Sequence, residues 1–401
     1  MSRATAKRQR FPLGASLMLD QLEVDPYPHL RRLQEKEPIS WVEGVGMWFV
    51  TRRADVVRVL KDPATFGTDS DRSPIRDIFG SHMLSTDGDE RVRYKSRCMP
   101  SFTANRVRQT ENAAIEMVAN DLVDSFAGDG SVDLRVAFAG PLAFQGMAHV
   151  MGIPPNDDKR FRGWYEIFTN ALANFSGDPA VRRQGSAAAS EFRSYVGQCL
   201  SGSIAIPEGS LLAELVAQTS GRLSNEEILS NALIILFGGL ETTESVILNT
   251  LWALLTHPDQ FDEVRQNPSL LAPAIEETLR WEPAVQSCTR YVRVATGFHG
   301  VDLEQNEIVQ CMLGAANRDP SFFADPDRFD IHRINAAEHV SFGVGTHFCL
   351  GAPLARLEAE IGLRVLLSRL PDFKLISGRE DTPRGYEFRK PPRLHVRWTR
   401  P

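Results

Sequence analysis

The chain has 401 residues, of which 42% are hydrophobic and 24% charged, and its net charge is −6. That composition buries a large core. Mild acidity without a basic stripe speaks against nucleic acid as a partner, and five scattered cysteines with no CxxC pair speak against a zinc ribbon, an iron–sulfur cluster or a disulfide framework.

The N-terminus is basic but carries no apolar segment long enough for a signal peptide or membrane anchor. The longest notable apolar run, Ala232 to Leu240, is too short to span a bilayer. A cytoplasmic protein without membrane contact is expected. A helix-like stretch covers Pro28 to Glu37, followed by two strand-like runs, ISWVEG and GMWFVTR, and a weakly patterned loop from Thr68 to Leu84. From Glu90 to about Pro258 helix follows helix. Short strands return between Arg290 and Met312, and one more helix and a strand-like tail follow Cys349. No repeat, linker or composition shift marks a boundary, so residues 1–401 read as one mainly α domain with small β-sheets.

Three helices carry most of the information. The first has a capping-box pattern, Ser224 with Glu227, and stops at Pro258. At about 33 residues, or roughly 50 Å, it should cross the middle of the molecule. Gly238 and Gly239 sit in its interior and cost roughly 1 kcal/mol each relative to alanine. Two gains could offset that: close contact with a planar cofactor, or a local opening in which Thr242 bonds back to the carbonyl of Gly238. The second helix begins near Pro273, ends before Pro283, and places Glu277 and Arg280 on one face. The third runs from Leu350 to Leu370 with an apolar stripe at Leu350, Leu354, Leu357, Ile361 and Val365.

Cys349 precedes that third helix, where unpaired N–H groups and the positive end of the dipole gather. This setting is expected to lower the thiol pKa. Gly343 and Gly345 allow a sharp turn, and Gly351 leaves room beyond.

The spacing Phe342, Gly343, Gly345, His347, Cys349, Gly351 resembles the haem-binding signature of the cytochrome P450 family, continued by Ala355 and Arg356. The resemblance extends over nearly the whole chain. It implies the single-domain fold of that family, with haem b (iron protoporphyrin IX) held between the long central helix and the cysteine-loop helix. Cys349 would be the axial thiolate and metal ligand. Glu241 and Thr242 resemble the family's acid–alcohol pair, in which a hydroxyl holds water and a carboxylate relays protons. Glu277 and Arg280 resemble its Glu-x-x-Arg element, completed by Arg328 in the stretch PDRFD; this trio would hold the loop leading to Cys349.

The resemblance also implies cations for the haem propionates: His347, Arg290, Arg91 and Lys95. The last two stand where the family has histidine and arginine, and Lys95 keeps the charge but loses the fork. Phe342, Gly343, Gly351, Gly238, Gly239, Leu84 and Ala355 complete the expected cofactor contacts. Val285, Phe168, Leu172 and Phe388 fall on segments that face substrate in the family, so a mostly hydrophobic small molecule is expected. With no flavin- or ferredoxin-like segment in the sequence, electrons should come from ferredoxin and ferredoxin reductase, docking near Lys95, Arg97, Arg106 and Arg356. A monooxygenase is the leading reading. A peroxide-driven oxidase often lacks the acid–alcohol pair, and a haem-binding sensor has little use for one.

Overall fold

The computed structural model describes residues 3–153, 158–172, 178–218, 223–376, 378 and 381–400. Five helices and five strands frame the site. They are α1 (Gly88–Cys98), α2 (Asp158–Leu172), α3 (Asn225–Thr256), α4 (Leu271–Trp281) and α5 (Ala352–Arg369), with β1 (Ile39–Val42), β2 (Met47–Val50), β3 (Phe66–Gly67), β4 (Ser287–Val292) and β5 (Ile308–Met312).

The capping box of α3 forms as expected. The Glu227 amide donates to Ser224 Oγ at 3.2 Å, and the Ser224 amide donates to the Glu227 carboxylate at 2.8 Å. Apolar residues ring this helix, so every face must be covered, and its buried positions run from Ile228 to Leu254. It is long and apolar enough to cross a membrane by composition alone, yet it lies mostly inside the protein. It packs on the helix Gly140–Met151 and on α4 and α5, and α5 in turn packs on the helix Ala104–Phe126. α4 starts at Leu271, two residues before Pro273, which therefore falls in a first turn that needs no N–H from it.

The sheet joins distant parts of the chain in the order β1-β2-β5-β4-β3. β1 and β2 form an antiparallel hairpin with Trp41 opposite Trp48. β2 runs parallel to β5, and β5 pairs antiparallel with β4, placing Cys288 opposite Cys311. A C-terminal turn from Arg384 to Lys390 folds back so that Phe388 pairs with Val285 just ahead of β4.

The loop leading to Cys349 is braced by an ion cluster with no solvent exposure at Glu277 or Arg280. Arg280 grips both Glu277 oxygens at 2.7 Å. The second guanidinium belongs to Arg333, whose Nε donates to Glu277 at 3.1 Å and whose side chain is 8% exposed. Arg328, expected in this place, instead has a side chain 68% exposed, paired with Asp330 at 3.7 Å. It contributes only its backbone carbonyl, which accepts from Arg280 and Arg333 at 3.0 Å each.

Candidate active site

The cysteine loop turns on Gly343 and Gly345, both at positive φ, 68° and 74°. A side chain on Gly345 would also meet the Leu60 carbonyl at 3.0 Å, so both conformation and space demand glycine there. The turn closes when the Cys349 amide donates to the Phe342 carbonyl at 2.9 Å. Phe342 packs between His339 and Phe348, with the Arg356 guanidinium 4.5 Å above its ring. Ala355 is buried one turn into α5, where its amide donates to the Gly351 carbonyl at 3.0 Å.

The Cys349 thiol differs from its sequence expectation. Burial pushes its pKa up; the amides of Gly351 and Ala352, with Lys95 and Arg356, oppose this without reversing it. The helix N-terminus therefore supplies donors to a thiolate, whereas ligation to a metal would supply the deprotonation itself. Cys349 nonetheless has accessible surface.

A basic cluster lies nearby. Arg91 and Arg290 are both buried. Burial lowers the Arg91 pKa, Asp87 raises it, and Arg290 lowers it as a neighbouring like charge. Among the described residues neither guanidinium has a carboxylate within 4 Å. His347 sits between them and an acid: its Nε2 lies 2.8 Å from Asp87, and its Nδ1 accepts from Arg91 Nε at 3.2 Å. Burial lowers the His347 pKa against the pull of Asp87. Asp87, which the sequence reading missed, also pairs with Arg293 at 2.8 Å and accepts from the amides of Thr68 and Asp69. Burial raises its pKa, but His347 and those amides outweigh burial and leave it well below the carboxylate range. Lys95 points elsewhere than expected, donating to the carbonyl of Phe348 at 2.6 Å and, more weakly, to that of Thr346 at 3.4 Å.

The two glycines of α3 do different jobs. A Cβ on Gly238 would meet nothing within 4 Å, and the same holds for Gly351. A Cβ on Gly239 would meet the Met147 methyl at 2.0 Å, so close helix packing requires glycine at 239. The Thr242 hydroxyl donates back to the Gly238 carbonyl at 2.6 Å, as its spacing implies. Leu84 is exposed, and its loop is pinned where the Met83 amide donates to Asn231 of α3 at 3.0 Å.

Glu241 is buried and does not face Thr242. One oxygen lies 2.7 Å from Lys390 Nζ and the other accepts from the Tyr165 hydroxyl. Lys390 also lies 2.9 Å from Glu244, which accepts from Arg135 Nε at 2.9 Å. The Lys390 contacts are close ion pairs whose angles fall short of hydrogen-bond geometry. Burial and Glu241 hold the Tyr165 phenol protonated far above its ordinary range.

Above this acid stands an aromatic wall drawn from four segments. Phe79 packs on Phe168 at 5.0 Å and on Phe237 at 5.6 Å; Phe237 touches Tyr165 at 5.9 Å and Phe388 at 6.0 Å. Of the expected pocket residues, Phe168 and Phe388 belong to this wall. Val285 joins it only through its pairing with Phe388, and Leu172 packs against the main core at the end of α2. The substrate-facing segment expected from sequence runs from Trp164 to Phe175, and its residues 173–175 lie outside the described residues. Phe79, Tyr165 and Phe237 were not singled out from sequence.

Two of the four cations expected at a docking face are already paired. Arg106 binds Glu214 at 3.1 Å, and Arg356 binds Glu276 at 2.5 and 2.9 Å.

The donor set fits haem. Two buried guanidiniums without carboxylates suit a dianion, two open glycines suit a flat group, and an amide-capped sulfur suits a thiophilic metal. Comparison with known proteins agrees. The cytochrome P450 family pattern matches residues 208–392. The chain is 37% identical to cytochrome P450 107B1 of Saccharopolyspora erythraea, covering 90% of this chain and 92% of that one. It is 36% identical to the cytochrome P450 monooxygenase PikC of Streptomyces venezuelae, covering 92% and 89%. Among solved structures, P450BioI in complex with a hexadec-9Z-enoic acid-ligated acyl carrier protein superposes with a TM-score of 0.87 at 29% identity, covering 95% of this chain and 99% of that one.

Proposed function

This chain belongs to the cytochrome P450 family and is a haem-thiolate monooxygenase, and from that premise we propose how its residues divide the work. Haem b, when bound, supplies the redox chemistry by which one atom of dioxygen enters the substrate and the other leaves as water. Cys349 would hold the haem iron through its sulfur, which the amides of Gly351 and Ala352 steady. Arg91 and Arg290 hold the propionates. His347 acts as a strut between Arg91 and Asp87, because both its ring nitrogens are already engaged. Gly238 admits the flat face of the cofactor. Glu241 and Thr242 carry protons on the side opposite the cysteine.

The observation that carries this reading is the pair of buried arginines without carboxylates beside an accessible, amide-capped cysteine. The test is spectroscopic. Protein purified with haem, reduced and exposed to carbon monoxide should show thiolate coordination, and Cys349→His should abolish it. A colourless sample, or an imidazole-type spectrum from the unaltered chain, overturns the assignment.

The aromatic wall of Phe79, Phe168, Phe237 and Phe388 supports a mostly apolar substrate with room for a ring or an alkyl chain. The fatty acyl group in the P450BioI complex is of that class. Compounds that drive the haem band toward its high-spin position identify the substrate. Residues 1–401 act as one domain, in the cytoplasm, taking electrons from a ferredoxin and its reductase. With Arg106 and Arg356 neutralised by acids, Lys95 is the cation nearest the cysteine loop available to an acidic donor. Lys95→Glu should slow reduction and weaken its salt dependence.

A further inference from the structure

The C-terminal turn that brings Phe388 to the aromatic wall carries an acid beside it. The Glu387 carbonyl accepts from the Gln286 amide at 2.8 Å, which fixes the turn along the segment ahead of β4. Neighbours in extended chain point to opposite sides. Phe388 turns to Phe237, and Glu387 turns to β5, where one carboxylate oxygen accepts from Gln310 Nε2 at 3.1 Å. Gln310 is itself fixed: its side-chain oxygen accepts from the Thr289 hydroxyl at 2.7 Å, and its amide also donates to Ser287 at 2.5 Å. Both amide hydrogens are then spent, and among the described residues nothing donates to the second Glu387 oxygen.

Its charge is unmatched as well. The next two residues are cations, but Arg389 pairs with Glu282 at 2.7 Å and Lys390 with Glu241 and Glu244. Among the described residues no cation pairs with Glu387. The residue is half-buried. Burial pushes its pKa up and only Gln310 opposes it; a carboxylate in open solvent would show no such shift. An enclosed carboxylate without a cation is destabilising, and a cation carried by a ligand offsets that.

The place is the rim of the wall. Burial raises the Tyr291 pKa; Ser73 and Arg72 oppose this, and Asp77 and Glu387 reinforce it. One phenol of β4 is thus within electrostatic reach of both Glu387 and the loop from Thr68 to Leu84. Phe79 of that loop belongs to the wall. Glu387 therefore stands where the loop, β4 and the C-terminal turn meet, one residue from a ring of the wall.

We propose that Glu387 is a specificity-determining residue: its second carboxylate oxygen binds the protonated amine of a substrate whose apolar skeleton lies along Phe388 and Phe237. The proposal rests on the reading of the aromatic wall as the substrate pocket, and it narrows the substrate from apolar molecules to apolar amines. The ammonium N–H donates to the open oxygen while Gln310 holds the other.

The test uses three probes of equal chain length: N,N-dimethyldodecylamine, dodecanol and dodecanoic acid. Haem-loaded protein is titrated with each, and the shift of the haem band toward its high-spin position gives the affinity. The amine should bind about tenfold or more tighter than the alcohol, and the acid most weakly. Glu387→Gln should remove the advantage of the amine and leave the affinity for the alcohol unchanged. Glu387→Lys should reverse the order of amine and acid. An amine advantage that survives Glu387→Gln, or an amine that gives the low-spin band of nitrogen bound to iron, overturns the proposal. Phe237→Ala separates it from the reading beneath it. If that variant weakens dodecanol binding while the unaltered protein shows no preference for the amine, the wall stands and the role of Glu387 falls. If no probe shifts the band, both fall.

Discussion

Exchanging the expected brace of the cysteine loop for the observed one gives a sharp test. Arg333 makes four contacts at or below 3.1 Å: one to Glu277 and three to the carbonyls of Ala324, Asp325 and Arg328. Removing one partner of a buried charge cluster costs about 3–5 kcal/mol. Arg280 remains bidentate on Glu277, so the lower end applies to Arg333→Ala. Unfolding entropy of roughly 2.1 cal/mol/K per residue over 401 residues gives about 0.8 kcal/mol per degree, and the thermal midpoint should fall by about 4 °C. Arg328→Ala removes an exposed pair at 3.7 Å, worth no more than about 1 kcal/mol, and should lower the midpoint by about 1 °C. Thermal scans of the two haem-loaded variants by circular dichroism decide the matter. Equal shifts, or a larger one for Arg328→Ala, would refute the assignment of the brace to Arg333.

Gly238→Ala should raise the stability of the haem-free chain by up to about 1 kcal/mol through helix propensity while weakening haem retention, measured by transfer of haem to an acceptor protein; unchanged retention would remove Gly238 from the cofactor contact. Thr242→Ala should leave substrate binding intact and divert most reductant to peroxide, measured as product formed per reductant consumed. Glu276 predicts a pH effect. Burial opposes its ionisation, but Arg356 and His339 outweigh burial and hold the carboxyl at about 2, against an ordinary value of 4.5. Because the folded pKa is depressed, the contribution is complete above pH 4.5 and fades as pH falls toward 2; the shift is worth roughly 3 kcal/mol. Denaturant titrations should therefore find Glu276→Gln less stable by about that amount at pH 7, with the gap narrowing below pH 4.5.

The parts of this molecule that the sequence makes legible are those whose physics is local. The capping box at Ser224, the back-bond of Thr242, and the positive-φ glycines before Cys349 each involve residues within a few positions of one another. Apart from the two-residue β3, the strands of this sheet were also readable one by one, but not their sheet, because β2 finds β5 some 260 residues later through register that no single segment encodes. The same limit explains the misplaced arginine. Arg328 and Arg333 stand five residues apart in one loop, and only the loop's path decides which guanidinium turns inward and which contributes a carbonyl.

Competing effects are illegible for a different reason. At Cys349 the helix N-terminus and burial act in opposite directions, and sequence shows the first but not the strength of the second. At Gly238 and Gly239 adjacent identical residues face opposite neighbours, one open space and the other the Met147 methyl. The same holds for Glu241. Its motif names a proton carrier, but its partners come from α2 and from a turn about 150 residues downstream. The turn that presents Cys349 is thus set by short-range pattern, whereas the partners of Glu241 come from segments that meet only in the folded chain.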